Sequence, residues 1–173
     1  MNDHDKPAPE SLDRPDPRAE LSAALRRASE GMVDDDLAIS LAVSGGVQEQ
    51  RYQMEFRTRG GEIEECAIGC AMSDRRAQTK GRGVDPKLFA DLSKKLLRSR
   101  VLELRQELPR FLPDTLIGMI TIQQGELEHR VFFAADPDQA SVQGADPPKA
   151  VMEAAEALYS AAGAILQLDD VRP

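Results

Sequence analysis

The chain has 173 residues, 41% of them hydrophobic, and a formal net charge of −8. That is long enough for one real core and too short to make two domains the expectation. No run reaches the ~18 apolar residues of a membrane-spanning helix, and an acidic chain is poorly suited to neutralising phosphates, so no membrane and no nucleic acid are expected as partners.

Met1 to Pro17 is polar, acidic and Pro-rich. It lacks the apolar mass that offsets ordering entropy, so a disordered tail over 1–17 is expected, followed by a single domain over 18–173. The tail has no apolar stretch of the kind a secretory signal needs, and two Cys without a disulfide pattern fit a reducing compartment, so a cytoplasmic location is expected. From Arg18 to Glu30, Leu21, Ala24, Leu25 and Ala28 recur at helical spacing and Gly31 stops the run. The stripe is thin, which predicts a peripheral helix.

Leu37, Ile39, Leu41 and Val43 alternate with Ala38, Ser40 and Ala42, the period of a strand, and Ser44-Gly45-Gly46 breaks it. Tyr52, Met54, Phe56 and Thr58 alternate with Arg51, Gln53, Glu55 and Arg57, so one face of this strand is wet. Gly60-Gly61 is a two-residue turn signal, and Ile63 to Met72 is the return strand. Ser73 to Val84 is polar and basic with no apolar periodicity, and reads as a mobile loop. Asp85-Pro86 then starts a helix as cap and first-turn proline. Its stripe of Leu88, Phe89, Leu92 and Leu96 continues either to about Gln106 or breaks near Ser99.

Ile120 and Ile122, then Leu127, His129, Val131 and Phe133, alternate with polar residues on either side of Gln124-Gly125. This is a hairpin. Ile117, Met119 and Phe132 make its second face apolar as well, which predicts a place near the centre of a sheet. Asp136 to Pro148 is a turn-rich loop, and Val151, Ala154, Ala155, Leu158, Ala162 and Ile165 form the face of a last helix. The expected fold is α+β, in the order α-βββ-α-ββ-α. Its sheet is mostly antiparallel, of about five strands, and is packed by two long helices.

No catalytic constellation is expected. Cys66 and Cys70, four apart on a strand, lie about 13 Å apart, too far to share a metal or a disulfide, and read as structural thiols. His129 lies on an apolar face and reads as structural, and His4 falls in the tail. Asp34-Asp35-Asp36 and Asp136-x-Asp138 lack the glycine and terminal glutamate of a calcium loop and read as solvated turns. No metal or cofactor is therefore expected. Arg75, Arg76, Lys80 and Arg82 form a basic loop, read either as a solvated loop or as a clamp for an acidic partner or a phosphate.

A strand ending in Ser44-Gly45-Gly46, then a helix, the hairpin TITIQQGELEHRVFF, and Asp and Pro before a final helix make up a layout over roughly Leu37 to Leu168. It resembles the emfourin family, small bacterial protein inhibitors of thermolysin-type metalloproteases. The hairpin Tyr52–Met72, the basic loop and the acidic tail depart from that family's pattern. The resemblance implies a protease-inhibitor-like role with Ser44, Gly45 and Gly46 as the element to test. The functional expectation is thus a non-enzymatic module that binds another protein. The alternatives are a small enzyme or ligand binder using His129, Arg130 and Asp136, or a structural subunit of a larger assembly.

Overall fold

Asp16 and Pro17 begin the first element: the Asp16 carboxylate accepts from the Arg18 amide at 3.0 Å, and Pro17 occupies the first turn of helix α1 (Pro17–Ser29). The structure, a computed structural model, describes residues 16–45, 52–70, 73–104, 115–135 and 148–173. The expected tail therefore lies outside the described residues except for its last two, which belong to the helix.

The chain continues through β1 (Leu37–Gly45), β2 (Tyr52–Arg59), β3 (Glu62–Cys70), β4 (Ser73–Thr79) and the short β5 (Arg82–Gly83). Helix α2 (Pro86–Ser99) follows, then a 3-10 turn (Val101–Glu103), β6 (Ile117–Gln124), β7 (Leu127–Ala134) and α3 (Lys149–Leu166). The strands form one antiparallel sheet in the order β4-β3-β2-β1-β6-β7, with β5 also paired to β3. The α+β class is as expected, with more strands than the five read from the sequence.

Turn chemistry sets the registers. Gly60 and Gly61 both take positive φ, 56° and 79°, which a two-residue turn of the primed type requires. The second hairpin closes between Gln124 and Leu127 around Gly125 (φ 57°) and Glu126. Helix α2 takes the shorter of its two expected courses. Arg100 enters the left-handed region (φ 61°), its amide bonds Leu97, and the chain turns into the 3-10 segment.

Three readings need correction. The stretch 73–84 is not a loop, because most of it pairs with β3 as β4 and β5. The hairpin β6–β7 is not central among the described strands: β1 lies between β2 and β6, and β7 ends their order. Helix α1 is not peripheral, since Leu21, Ala24, Leu25 and Ala28 are all 0% exposed. Alanines let it approach closely, so a thin stripe suffices to bury it.

The core lies on one side of the sheet. Leu37, Ile39, Leu41 and Val43 of β1, Met54 and Phe56 of β2, Ile120 and Ile122 of β6, and Val131 and Phe133 of β7 all point to it and are buried. Helix α1 packs under β6 and β7, α3 packs under β1, β3 and β4, and α2 packs against both helices. Where two long helices were expected, the described residues form three: α1 and α3 lie on this face and α2 packs against both of them.

Candidate functional site: the uncovered face of the sheet

Period-two alternation sends every second residue to the opposite face. Among the described residues no helix covers that face. Its residues fall into rows by register: Arg59, Ala38, Gln123 and Glu128; then Arg57, Ser40, Thr121 and Arg130; then Glu55, Ala42, Met119 and Phe132. Long side chains on β2 and β7 therefore flank small ones on β1, with Gln123, Thr121 and Met119 of β6 between β1 and β7. The trough holds about 270 Å3; Ala38, Ser40, Ala42 and Thr121 floor it, and Met119 and Gln123 stand at its β6 side. A second trough of about 570 Å3 runs over Ala67 and Gly69 of β3, between Gln53 and Glu55 on one side and Arg76 and Gln78 on the other.

The charges on these ridges are paired among themselves. Arg57 Nε lies 3.3 Å from Glu55, Arg130 Nε 2.8 Å from Glu128, Arg59 Nε 2.8 Å from Glu64, and the Gln78 amide donates to Glu65 at 2.7 Å. The face is thus polar yet internally compensated, unlike the one-sign surface that captures phosphate chains. Ile117, Met119 and Phe132 lie half-buried at its β6–β7 corner.

The residues singled out from the sequence do not converge. Arg76 is exposed beside the β3 trough. Lys80 stands in a different hollow, with Asp35, Arg59, Glu62 and Glu64. Arg82 lines a third, against Val84, Leu88 and Ala164. Only the backbone of Arg75 is described, in β4. The basic loop is thus drawn out along strands into separate places. Ser44 is exposed at the end of β1. Gly45 has φ 131°, and a Cβ there would meet the Thr115 carbonyl oxygen at 2.4 Å, so its glycine is accounted for by close backbone approach. Gly46 lies outside the described residues.

His129 and Arg130 project to opposite faces. His129 is 1% exposed on the helix-covered side, and its Nε2 bonds the Val101 carbonyl oxygen at 3.1 Å. Burial holds its pKa below the usual 6.5; the bond to Val101 offsets this in part, and the charge of Arg18 adds to the lowering. Arg130 lies on the uncovered face, so the two cannot share a substrate. Asp136, Asp138 and His4 lie outside the described residues.

Cys66 is free and 0% exposed, and burial chiefly, with the charge of Glu65, pushes its thiol up to about 12. Such a thiol is inert at neutral pH. The side chain of Cys70 is not described. Among the described residues, no three His, Cys, Asp or Glu side chains stand together to hold a metal ion, and no helix is long and apolar enough to cross a membrane.

The small-residue floor was visible in the sequence as Ala38-x-Ser40-x-Ala42, but only as the wetter half of a strand. Its flanks come from β2 and β7, and no local pattern announces that pairing. No protein-family model and no curated protein matches this chain.

Proposed function

We propose that this protein is a non-enzymatic interaction module that receives a helical segment of another protein on the uncovered face of its sheet. One observation carries the reading: among the described residues the helices lie on one face, while the other carries a hollow floored by Ala38, Ser40, Ala42 and Thr121 between longer side chains. β2 and β7 are three strand spacings apart, about 14 Å, with Met119 and Gln123 of β6 bounding the hollow on its β7 side. An α-helix with its side chains is about 10–12 Å across, a width that matches the face from β2 to β6 and β7. Compensated charges on the ridges suit the polar rim of a protein interface, and the half-buried Met119 and Phe132 add an apolar contact at its β6–β7 end.

Affinity capture from the source cell tests this, with wild type, Ala42→Arg and Thr121→Arg as baits and Lys94→Glu on the exposed side of α2 as control. The arginines fill the trough without entering the core, so all baits should melt within a few degrees of one another. The expected result is a partner retained by wild type and the control and lost by both trough variants. Retention by every bait would overturn the reading. The sharper version, inhibition of a thermolysin-type metalloprotease, is supported by the layout resemblance alone. Titrating the protein into such a protease checks it directly.

A further inference from the structure

Helix α3 ends without the charge that a helix end favours. The last turns of α1 and α2 carry Arg26 and Arg27, and Arg98, where cations meet the negative end of the helix dipole. The last turn of α3 carries no basic residue, and Asp169 and Asp170 follow it. Gln167, in the left-handed region (φ 57°), turns the chain back, and the Leu168 amide bonds the Gly163 carbonyl oxygen at 2.9 Å. Val171, 2% exposed, and the Tyr52 hydroxyl donating to its carbonyl oxygen fix the returning segment against the core. Between the helix and that segment lies a hollow of about 230 Å3. Glu156, Asp169 and Asp170 line it against one cation, Arg172.

Tyr159 lines the same hollow and is 7% exposed. Its hydroxyl is buried, and no hydrogen-bond partner meets it among the described residues. Burial first, then the charge of Glu156, raises the pKa of this phenol, while Arg172 lowers it in part. It therefore stays neutral, able both to donate and to accept. Both charges it feels belong to the hollow's wall, which places the hydroxyl on that side. A buried hydroxyl without a partner costs free energy, and a phenylalanine would fill the same space without that cost.

We propose that this hollow receives a primary alkylammonium group, the head of a lysine side chain or of a small amine, with the Tyr159 oxygen accepting from it and the carboxylates of Glu156 and Asp169 balancing its charge. The sign follows from three carboxylates at the negative end of a helix. An ammonium is a compact charge with three donors, enough for the phenol and the carboxylates together. The volume lies below the about 300–1,000 Å3 of sites for drug-sized ligands, which suits a side chain or a molecule of that size. Arg172 holds the place in the free protein, its Nε 3.0 Å from Asp170 and its Nη1 3.7 Å from Glu156. The second contact is long and joins two side chains that are more than half exposed, so Arg172 gives it up at little cost while keeping Asp170.

Titration of the full chain with n-butylammonium at constant ionic strength, followed by amide chemical shifts, tests this. The amides of residues 156–172 are expected to shift and to saturate with a dissociation constant of about 1–10 mM. Tetramethylammonium, of equal charge but without N–H donors, should leave them unchanged. Tyr159→Phe should weaken binding about tenfold and yet raise the melting temperature, since it removes a hydroxyl that is buried without a partner. Asp169→Asn should weaken binding, and Arg172→Ala, which clears the competing cation, should strengthen it. Acetyl-lysine amide and diaminobutane, titrated in parallel, separate the sources: tighter binding of the first assigns the hollow to a partner's lysine, of the second to a free amine. Shifts that do not saturate, an equal response to tetramethylammonium, or a Tyr159→Phe variant that binds as well as wild type overturn the proposal. The tetramethylammonium comparison needs no variant, so it decides even where a variant fails to fold.

Discussion

Gly118 stands opposite Phe133 in the β6–β7 ladder, and a Cβ built on it would lie 2.2 Å from the Phe133 ring. The ring, only 3% exposed, covers the glycine and fills the space a side chain would take. Gly118→Ala is therefore expected to cost about 1–3 kcal/mol by overpacking. Phe133→Ala should cost about 3–5 kcal/mol through lost transfer energy and a cavity. The two are in contact, so they should not add: with the ring removed, the new methyl has room, and Gly118→Ala should become nearly neutral or favourable. Urea melts of the four proteins decide it, and additive costs would show that the ring does not sit over Gly118. His129 gives a pH test at the same scale. Its folded pKa is depressed and its unfolded value is about 6.5, so the unfolded chain binds more protons below that pH. The stability of the neutral, buried form is complete above about pH 6.5 and is lost as pH falls toward the folded pKa. His129→Gln, which keeps a donor for the Val101 carbonyl, should show a smaller loss of urea stability between pH 7.5 and 5 than wild type. Equal losses would place the acid sensitivity elsewhere.

At the scale of elements, what could be read from the sequence tracks where side chains alone decide the structure. Alternation placed β1, β2, β3, β6 and β7 because one face of each meets the core, and period two records that directly. The two-residue turn at Gly60-Gly61 was equally legible, since positive φ is a local demand met by glycine. β4 was illegible for a physical reason. Ser73-Asp74-Arg75-Arg76-Ala77-Gln78-Thr79 has polar residues at both phases, and of its described side chains Ala77 is the hydrophobic one packed toward the core. The ladder to β3 makes it a strand, and polar, charged residues are what an edge tolerates. The hairpin was misplaced by the opposite error: two apolar faces suggested a central position, whereas Ile117, Met119 and Phe132 remain half-buried on an uncovered face near the sheet's edge. That mismatch between composition and cover is what gives the face its interest. The site residues fared worse than the strands, because a basic run read as one loop became two strands, and strands scatter neighbours.

For the whole molecule, a sheet covered on one side predicts a gradient of stability. β1 is paired on both sides, and its inward residues Leu37, Ile39 and Leu41 are 0% exposed, with Val43 at 1%. Its amides can exchange only when the ladders on both sides open and the helices lift. Among the described residues β4 is bonded on one side only and contributes little to the core, and β5 is two residues long with both exposed. Opening them costs few buried contacts, so they belong to the low-stability end of the fold. Native-state amide exchange should therefore find β1 and its partners in β2 and β6 slowest, at rates that track global unfolding. The ladder amides of β4 and β5 should exchange at least about a hundredfold faster, a difference of roughly 2.7 kcal/mol in opening free energy. Denaturant below the unfolding midpoint should leave the fast group unchanged and accelerate the slow one, because only the slow group exposes large buried area on opening. If β4 is as slow as β1, the far edge folds as one unit with the centre, and something outside the described residues closes over it.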